Sequence, residues 1–298
     1  MEKFKINFLG TGNAIPTKLR NHTAILISYK NESILIDCGE GTQRQFKIAE
    51  ISPAKLTRLL ITHWHGDHTL GIPGLFQTLA MTDYQKELQI YGPRGTKRNI
   101  DLLRELFKDF KINLTSHEIK NEVIKLKELL ITTAEMNHNI QANAYSIEIP
   151  ETIRLDKKKL KKFKLPNSPL IGELQRGKDI VFNGKKITAK SVSYKEEGKK
   201  ITIILDTGMN ENAIKLAKDS DLLICESTFS DAESKQAEEY KHLTSKQAAL
   251  IAKKANVKQL IITHISQRYE HNISLIEKEA KTIFKNTKVA KDFDNFEI

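Results

Sequence analysis

His63-Trp64-His65-Gly66-Asp67-His68 places three imidazoles and one carboxylate in six consecutive residues. Imidazole nitrogen and carboxylate oxygen both ligate zinc, so this spacing points to metal chemistry. The segment follows the apolar run Leu59-Leu60-Ile61-Thr62 and precedes Gly71-Ile72-Pro73-Gly74-Leu75-Phe76. It therefore reads as a loop between a buried strand and a helix. One short loop cannot close a four-coordinate shell around each of two ions, so more His and Asp are expected at other strand ends.

The chain supplies them. Ser33-Ile34-Leu35-Ile36 ends at Asp37-Cys38-Gly39, Leu129-Leu130-Ile131-Thr132-Thr133 leads towards His138, Ile201-Thr202-Ile203-Ile204-Leu205 ends at Asp206, and Leu260-Ile261-Ile262-Thr263 ends at His264. Continuous apolar runs of this kind belong to strands buried on both faces of a helix-covered sheet. In such folds ligands gather where the strands end. Three of the nine histidines lie in the hexapeptide and two more at or near strand ends, a clustering that packing alone does not explain. His22, His117 and His271 read as structural or exposed. The coarse order is βαβα, with helices expected at about 67–84, 96–110, 211–219 and 244–255, and a C-terminal 272–298 that is helical, then strand-like. Phe4–Leu9 and Lys186–Ser193 each open a run of β character that ends at an acidic residue, Asp37 and Asp206 respectively. This hints at two similar halves.

Composition bounds the rest. The 298 residues are 39% hydrophobic with no 18-residue apolar stretch, which describes a soluble globular protein without a membrane span. The N-terminus enters strand-like alternation at once, with no signal-peptide core, so a cytoplasmic location is expected. Cys38 and Cys225 each lie in or beside an apolar run and read as reduced packing residues, without zinc-finger spacing. The net charge, 48 − 37 = +11, is unevenly spread. Glu151 to Lys164 holds seven basic residues against two acids. Alone, such a run is a solvated lysine face; here it lies between His138 and Asp206.

His-x-His-x-Asp-His resembles the signature of the metallo-β-lactamase fold. Further stretches are similar to the tRNase Z family, the endonucleases that mature the 3′ end of transfer RNA: Phe8-Leu9-Gly10-Thr11-Gly12, Pro16-Thr17-Lys18-Leu19-Arg20-Asn21, Asp37-Cys38-Gly39-Glu40-Gly41-Thr42-Gln43, Gly71-Ile72-Pro73-Gly74-Leu75, Glu226-Ser227-Thr228-Phe229, His242-Leu243-Thr244-Ser245-Lys246-Gln247 and Thr263-His264-Ile265-Ser266-Gln267-Arg268-Tyr269. They run in the family's order from about residue 6 to 270.

The resemblance implies a four-layer α/β/β/α sandwich, a single domain over residues 1–298 with a protruding basic arm at about 150–180. It implies two zinc ions per subunit, one held by His63, His65 and His138, the other by Asp67, His68 and His264, with Asp206 bridging. Manganese or iron suits the same mixed ligands. A metal hydroxide would attack a phosphodiester of precursor tRNA, leaving a tRNA 3′-hydroxyl and a trailer 5′-phosphate. Asp67 would also orient the attacking water, and His242, steered by Glu226, would protonate the leaving oxygen.

 That steering role is carried by the likeness alone. Arg20 and Arg268 would meet substrate phosphates, and Lys157, Lys158, Lys159, Lys161 and Lys162 of the arm would grip the tRNA body. Shape, not base sequence, would be read there, with strong salt dependence. A homodimer is implied as well. The chain departs from the family pattern at Asn167-Ser168-Pro169-Leu170, where the arm usually carries Gly-Pro, and at Cys225, where a His is often found. A hydrolase of the same fold acting on a small ester, thioester or phosphodiester shares every metal ligand, but has no use for a remote lysine cluster.

Overall fold

Alternating burial along the strands defines the layers. The computed structural model describes residues 2–108, 110–165 and 168–298, and the chain divides into two compact units. The first comprises Met1–Lys125, Ile131–Ile147 and Lys200–Ile298; the second comprises Leu126–Leu130 and Glu148–Lys199.

In the first unit, seven strands form one sheet in the order Asn295–Glu297, Lys5–Gly10, Ala24–Tyr29, Glu32–Ile36, Arg58–Leu60, Glu87–Gly92 and Asn113–Glu118. Pairing is antiparallel as far as Glu32–Ile36 and parallel beyond it. One face carries Leu9, Leu26, Leu35, Leu59 and Ile61, which pack with Phe46, Leu75, Phe76, Leu79 and Ile100 of the helices Thr42–Ile48, Ile72–Met81 and Thr96–Phe107. The intervening residues Ile6, Phe8, Ile25, Ile27, Ile34, Ile36 and Leu60 point the other way and are equally buried. That face needs a second cover.

A second seven-stranded sheet provides it, in the order Thr287–Val289, Leu260–Thr263, Leu222–Glu226, Lys199–Ile204, Ala142–Ile149, Leu130–Met136 and Val123–Lys125. Leu223, Cys225, Leu260 and Ile262 pack with Ala213, Ala248, Ile251 and Ile276 of the helices Glu211–Ala217, Ser245–Lys254 and Ile273–Lys281. Ile201, Ile203, Leu222, Ile224 and Ile261 on the opposite face are fully buried against the first sheet. Two hydrogen bonds tie the sheets at the edge that matters: Tyr145 Oη donates to Ile61 O at 2.6 Å and Asn143 N to Thr62 O at 2.8 Å. The result is the expected helix, sheet, sheet, helix sandwich.

Two expectations are corrected. The helix expected over 67–84 is two helices, Gly66–Thr69 and Ile72–Met81. Between them the backbone turns to pair with Cys38, whose N donates to His68 O at 2.8 Å and whose O accepts from Gly71 N at 2.9 Å. The Lys186–Ser193 run does not open a second half. It lies in the second unit as the end of strand Lys185–Ile187 and the short helix Ala189–Val192.

That second unit has its own small core of Leu174, Ile180, Ile187, Ala189 and Val192, to which Leu160 and Phe163 add. The helix Lys157–Lys162 starts at Asp156, whose carboxylate accepts from Lys158 N and Lys159 N. Leu160 and Phe163, one turn apart, face this core, and Lys157, Lys158, Lys159, Lys161 and Lys162 are exposed. Of the departure at Asn167-Ser168-Pro169-Leu170, Asn167 lies outside the described residues, and Ser168 stands at the start of the helix Pro169–Gln175.

Gly10 ends its strand at a register shift against Ala24, and a Cβ there would stand 1.8 Å from His22 O. Gly10→Ala is expected to destabilise the fold by about 2–3 kcal/mol, because backbone must move to relieve the clash. Thermal unfolding should then fall by about 5 °C or more, and an unchanged midpoint would refute this close packing.

Candidate metal centre

Each chemistry-bearing residue sits where a strand stops. Asp37 follows Glu32–Ile36, His63 and His65 follow Arg58–Leu60, and His138 follows Leu130–Met136; Asp206 follows Lys199–Ile204, Glu226 closes Leu222–Glu226, and His264 follows Leu260–Thr263. Asp37 and His264 both have φ 57°, a left-handed conformation that turns the chain out of the strand at once and that side chains other than glycine seldom adopt. Glycine permits the close approach of the loops: a Cβ on Gly71 would lie 2.0 Å from Gly39 O.

Two ligand groups result, sharing one carboxylate. His63, His65, His138 and Asp206 form the first, and Asp67, His68, Asp206 and His264 the second. In the first, His63 Nε2 is 2.9 Å and His138 Nε2 3.3 Å from His65 Nδ1, and Asp206 Oδ2 is 3.5 Å from His63 Nε2. In the second, His68 Nε2 and His264 Nε2 are 3.2 Å apart, each is 3.4 Å from Asp67 Oδ2, and they lie 3.3 and 3.1 Å from Asp206 Oδ1.

The protons on these rings follow from their outer partners. Thr62 Oγ1 donates to Asp37 Oδ2 at 2.7 Å, so it accepts from His63 Nδ1 at 3.1 Å. His68 Nδ1 donates to Asp37 Oδ2 at 2.6 Å, and His138 Nδ1 to the Lys241 carbonyl at 3.2 Å. Thr228 Oγ1 donates to Glu226 Oε2 at 2.8 Å, so it accepts from His264 Nδ1 at the same distance. Four Nδ1–H groups are thus committed outward, and four Nε2 lone pairs converge inward. Asp206 Oδ1 is buried without a hydrogen-bond partner. Lone pairs and a bare carboxylate facing one another repel unless a cation lies between them, so these residues fit a metal.

Electrostatics agree. Burial, the largest influence, holds His63, His65 and His138 below the usual imidazole range, and the neutral ring is the form that binds metal. Burial also disfavours charge on Asp67, but the adjacent His264 and His68 outweigh it and keep the carboxyl far below its ordinary range. Burial opposes charge on His68 too, yet Asp206 and Asp37 raise that imidazole well above its usual value, so a proton competes there with a cation for the inward Nε2. The same negative charges attract a divalent cation.

His242 stands beside the cluster. Its Nδ1 lies 2.9 Å from Glu226 Oε1, and its Nε2 faces Asp206 Oδ2 at 3.9 Å. Burial lowers its affinity for a proton, but Glu226 and Asp206 prevail and raise its pKa to about 9. Glu226, His242 and His264 approach closely enough for a further ion. There, however, N–H donors already face the carboxylate, so hydrogen bonds close the group without a cation.

The seven expected ligands and His242 are therefore brought together. The expected phosphate contacts are not part of this cluster. Arg20 is buried, its Nη1 donating to Thr11 Oγ1 at 2.6 Å and Ala290 O at 2.7 Å. This corrects its reading as a phosphate ligand: the guanidinium clamps the loop to the C-terminal segment. Arg268 pairs with Glu233, donates to Gln236 and lies over the Phe229 ring. The arm lysines belong to the second unit. Asp37, read as ligand-type, instead orients His68 through the bonds above. Thr62, Thr228 and the Lys241 carbonyl went unread, since a hydroxyl or carbonyl that orients a ring leaves no spacing signal.

Fold and site together define a metallo-β-lactamase-fold protein with a metal-binding centre. Among solved structures, the chain superposes on the metallo-β-lactamase fold protein YhfI from Bacillus subtilis with a TM-score of 0.73 at 19% identity, covering 100% of both chains. It superposes on human tRNase Z, short form, with a TM-score of 0.71 at 25% identity, covering 98% of each. The sequence profile of the family described as "Anti-Pycsar protein Apyc1" matches residues 4–288. A Ribonuclease Z of Enterococcus faecalis is 40% identical over 307 residues, with 99% of this chain and 97% of the relative covered. One of Methanosarcina acetivorans is 35% identical, covering 99% and 98%. The chain belongs to the ribonuclease Z family, and to the group that the Apyc1 profile describes.

Asp37→Asn should weaken metal binding at the second ligand group by about 10- to 100-fold, because an amide supports the His68 ring less well than a carboxylate. Chelator competition on purified protein measures this directly; an unchanged affinity would remove Asp37 from the site.

Proposed function

We propose that this chain removes the 3′ trailer from precursor tRNA, using two zinc ions held by His63, His65, His138, Asp67, His68 and His264, with Asp206 bridging. The convergence of four imidazole lone pairs on an unpartnered Asp206 oxygen supports this reading most directly. Divalent ions bound there supply Lewis acidity to a phosphodiester and acidify water.

The side chains then have distinct tasks. Asp67, ionised through His264 and His68, accepts a hydrogen bond from the water and aims it at phosphorus. His242, fixed by Glu226, carries a proton at neutral pH with its Nε2 turned to the cluster, and delivers it to the departing 3′-oxygen. The RNA's own 2′-hydroxyl is not consumed. The exposed lysines of the helix Lys157–Lys162 meet backbone phosphates of the tRNA body. A cytoplasmic homodimer completes the proposal: both cysteines are free and buried, and no helix among the described residues is long and apolar enough to cross a membrane.

End-mapping of a cleaved 3′-extended precursor is expected to give a tRNA 3′-hydroxyl and a trailer 5′-phosphate, whereas a 2′,3′-cyclic phosphate at the cut would sink the water-attack mechanism. Replacing Lys157, Lys158, Lys159, Lys161 and Lys162 with Ala should raise KM for the precursor about tenfold or more and flatten its salt dependence. Hydrolysis of bis(p-nitrophenyl) phosphate should persist. If precursor cleavage is equally unaffected, the lysine helix has no part in recognition and a small-substrate hydrolase becomes the better reading.

A further inference from the structure

Beside His242 lies an aromatic group that the chemistry above does not use. Tyr240 ends the helix Ser234–Tyr240 and is 52% exposed. Its ring lies at 14° to that of buried Phe229, with centroids 6.4 Å apart. Phe229 in turn stands 6.0 Å from the His242 ring and carries the Arg268 guanidinium at 5.2 Å. Glu233 and Gln236 hold that guanidinium in place.

The backbone around Tyr240 is fixed to the metal centre. His242 N donates to Ala237 O at 2.8 Å, and Lys241 takes φ 53° to turn the chain between them. The Tyr240 carbonyl accepts from Asn139 Nδ2 at 3.4 Å, and the Lys241 carbonyl accepts from His138 Nδ1. Tyr240 is therefore held on the same short segments that carry His138 and His242. An exposed aromatic face immobilised in this way can stack on a base at little cost in side-chain freedom.

Reaction direction selects the base. The O3′–P bond breaks and His242 protonates O3′, so the sugar next to His242 is that of the nucleotide retained on the tRNA. We propose that Tyr240 stacks on the base of this nucleotide, immediately 5′ of the cut, and so sets the register of cleavage. The inference rests on the RNA-cleaving reading above. Stacking is tolerant of base identity, so it positions the strand without reading its sequence.

The test compares wild type, Tyr240→Ala and Tyr240→Phe on two 3′-extended precursors, one intact and one abasic at the nucleotide 5′ of the cut. On the intact precursor Tyr240→Ala should lose about tenfold in kcat/KM, and Tyr240→Phe should recover most of that loss. On the abasic precursor wild type should fall by a similar factor and the Tyr240→Ala penalty should vanish, since the partner is gone. An equal penalty on both precursors, or none on the intact one, would overturn the stacking role. If Tyr240→Phe fails like Tyr240→Ala, the hydroxyl and not the ring is responsible, and the proposal is wrong. Wild-type protein that cuts neither precursor would overturn the parent reading, and this one with it.

Discussion

The site depends on where four protons are not. Hydrogen bonds from His63, His68, His138 and His264 Nδ1 to acceptors outside the cluster leave their Nε2 lone pairs facing inward. Each outer acceptor fixes a tautomer as well as a ring orientation. Loss of one acceptor would free its ring to rotate or to take up the inward proton, and the shared Asp206 transmits that change to both ligand groups. Asp37 and Thr62 together serve two of these rings, which makes the turn after Glu32–Ile36 as important to the centre as the hexapeptide itself.

The two sheets place these groups with little freedom. Ligands from the first sheet face ligands from the second across bonds between Tyr145 and Ile61 and between Asn143 and Thr62. Those bonds land on the residues just before His63, so the register between the sheets sets the separation of His63 from His138 and Asp206. Small residues then bring the loops together, as where Gly71 packs on Gly39. The centre is thus a property of sheet-on-sheet packing, and a core change far from the ligands can alter metal affinity by shifting one sheet against the other.

Much of this was legible in the sequence, and for a physical reason. Metal ligands must be particular residue types at strand ends, so the apolar runs before Asp206 and His264 announced them. The helices fared less well. No periodicity warned that the backbone at Leu70-Gly71 would leave its helix to pair with Cys38, because that pairing is made with a residue distant in the chain. Arg20 was misread for the same reason: its partners Thr11 and Ala290 lie on separate segments, and only the fold turns the guanidinium inward. Outer-shell acceptors such as Thr228 and the Lys241 carbonyl were illegible in principle, since neither residue type nor spacing marks them.

Asp206 and Glu226 show how two buried carboxylates at neighbouring strand ends acquire different chemistry. Glu226 accepts from Thr207 N, Thr228 N, Thr228 Oγ1 and His242 Nδ1, so every lone pair that faces the site from it meets a proton. Asp206 Oδ1 meets only Nε2 atoms whose protons have been placed elsewhere. The carboxylate surrounded by donors stays anionic without a metal and holds a proton on His242, while the carboxylate surrounded by lone pairs is stable only with a cation. Had Thr228 lacked its hydroxyl, His264 Nδ1 would have lost its acceptor and Glu226 a donor, and the boundary between the two environments would blur. The position of one hydroxyl therefore keeps the hydrogen-bonded pair of Glu226 and His242 distinct from the group of lone pairs around Asp206.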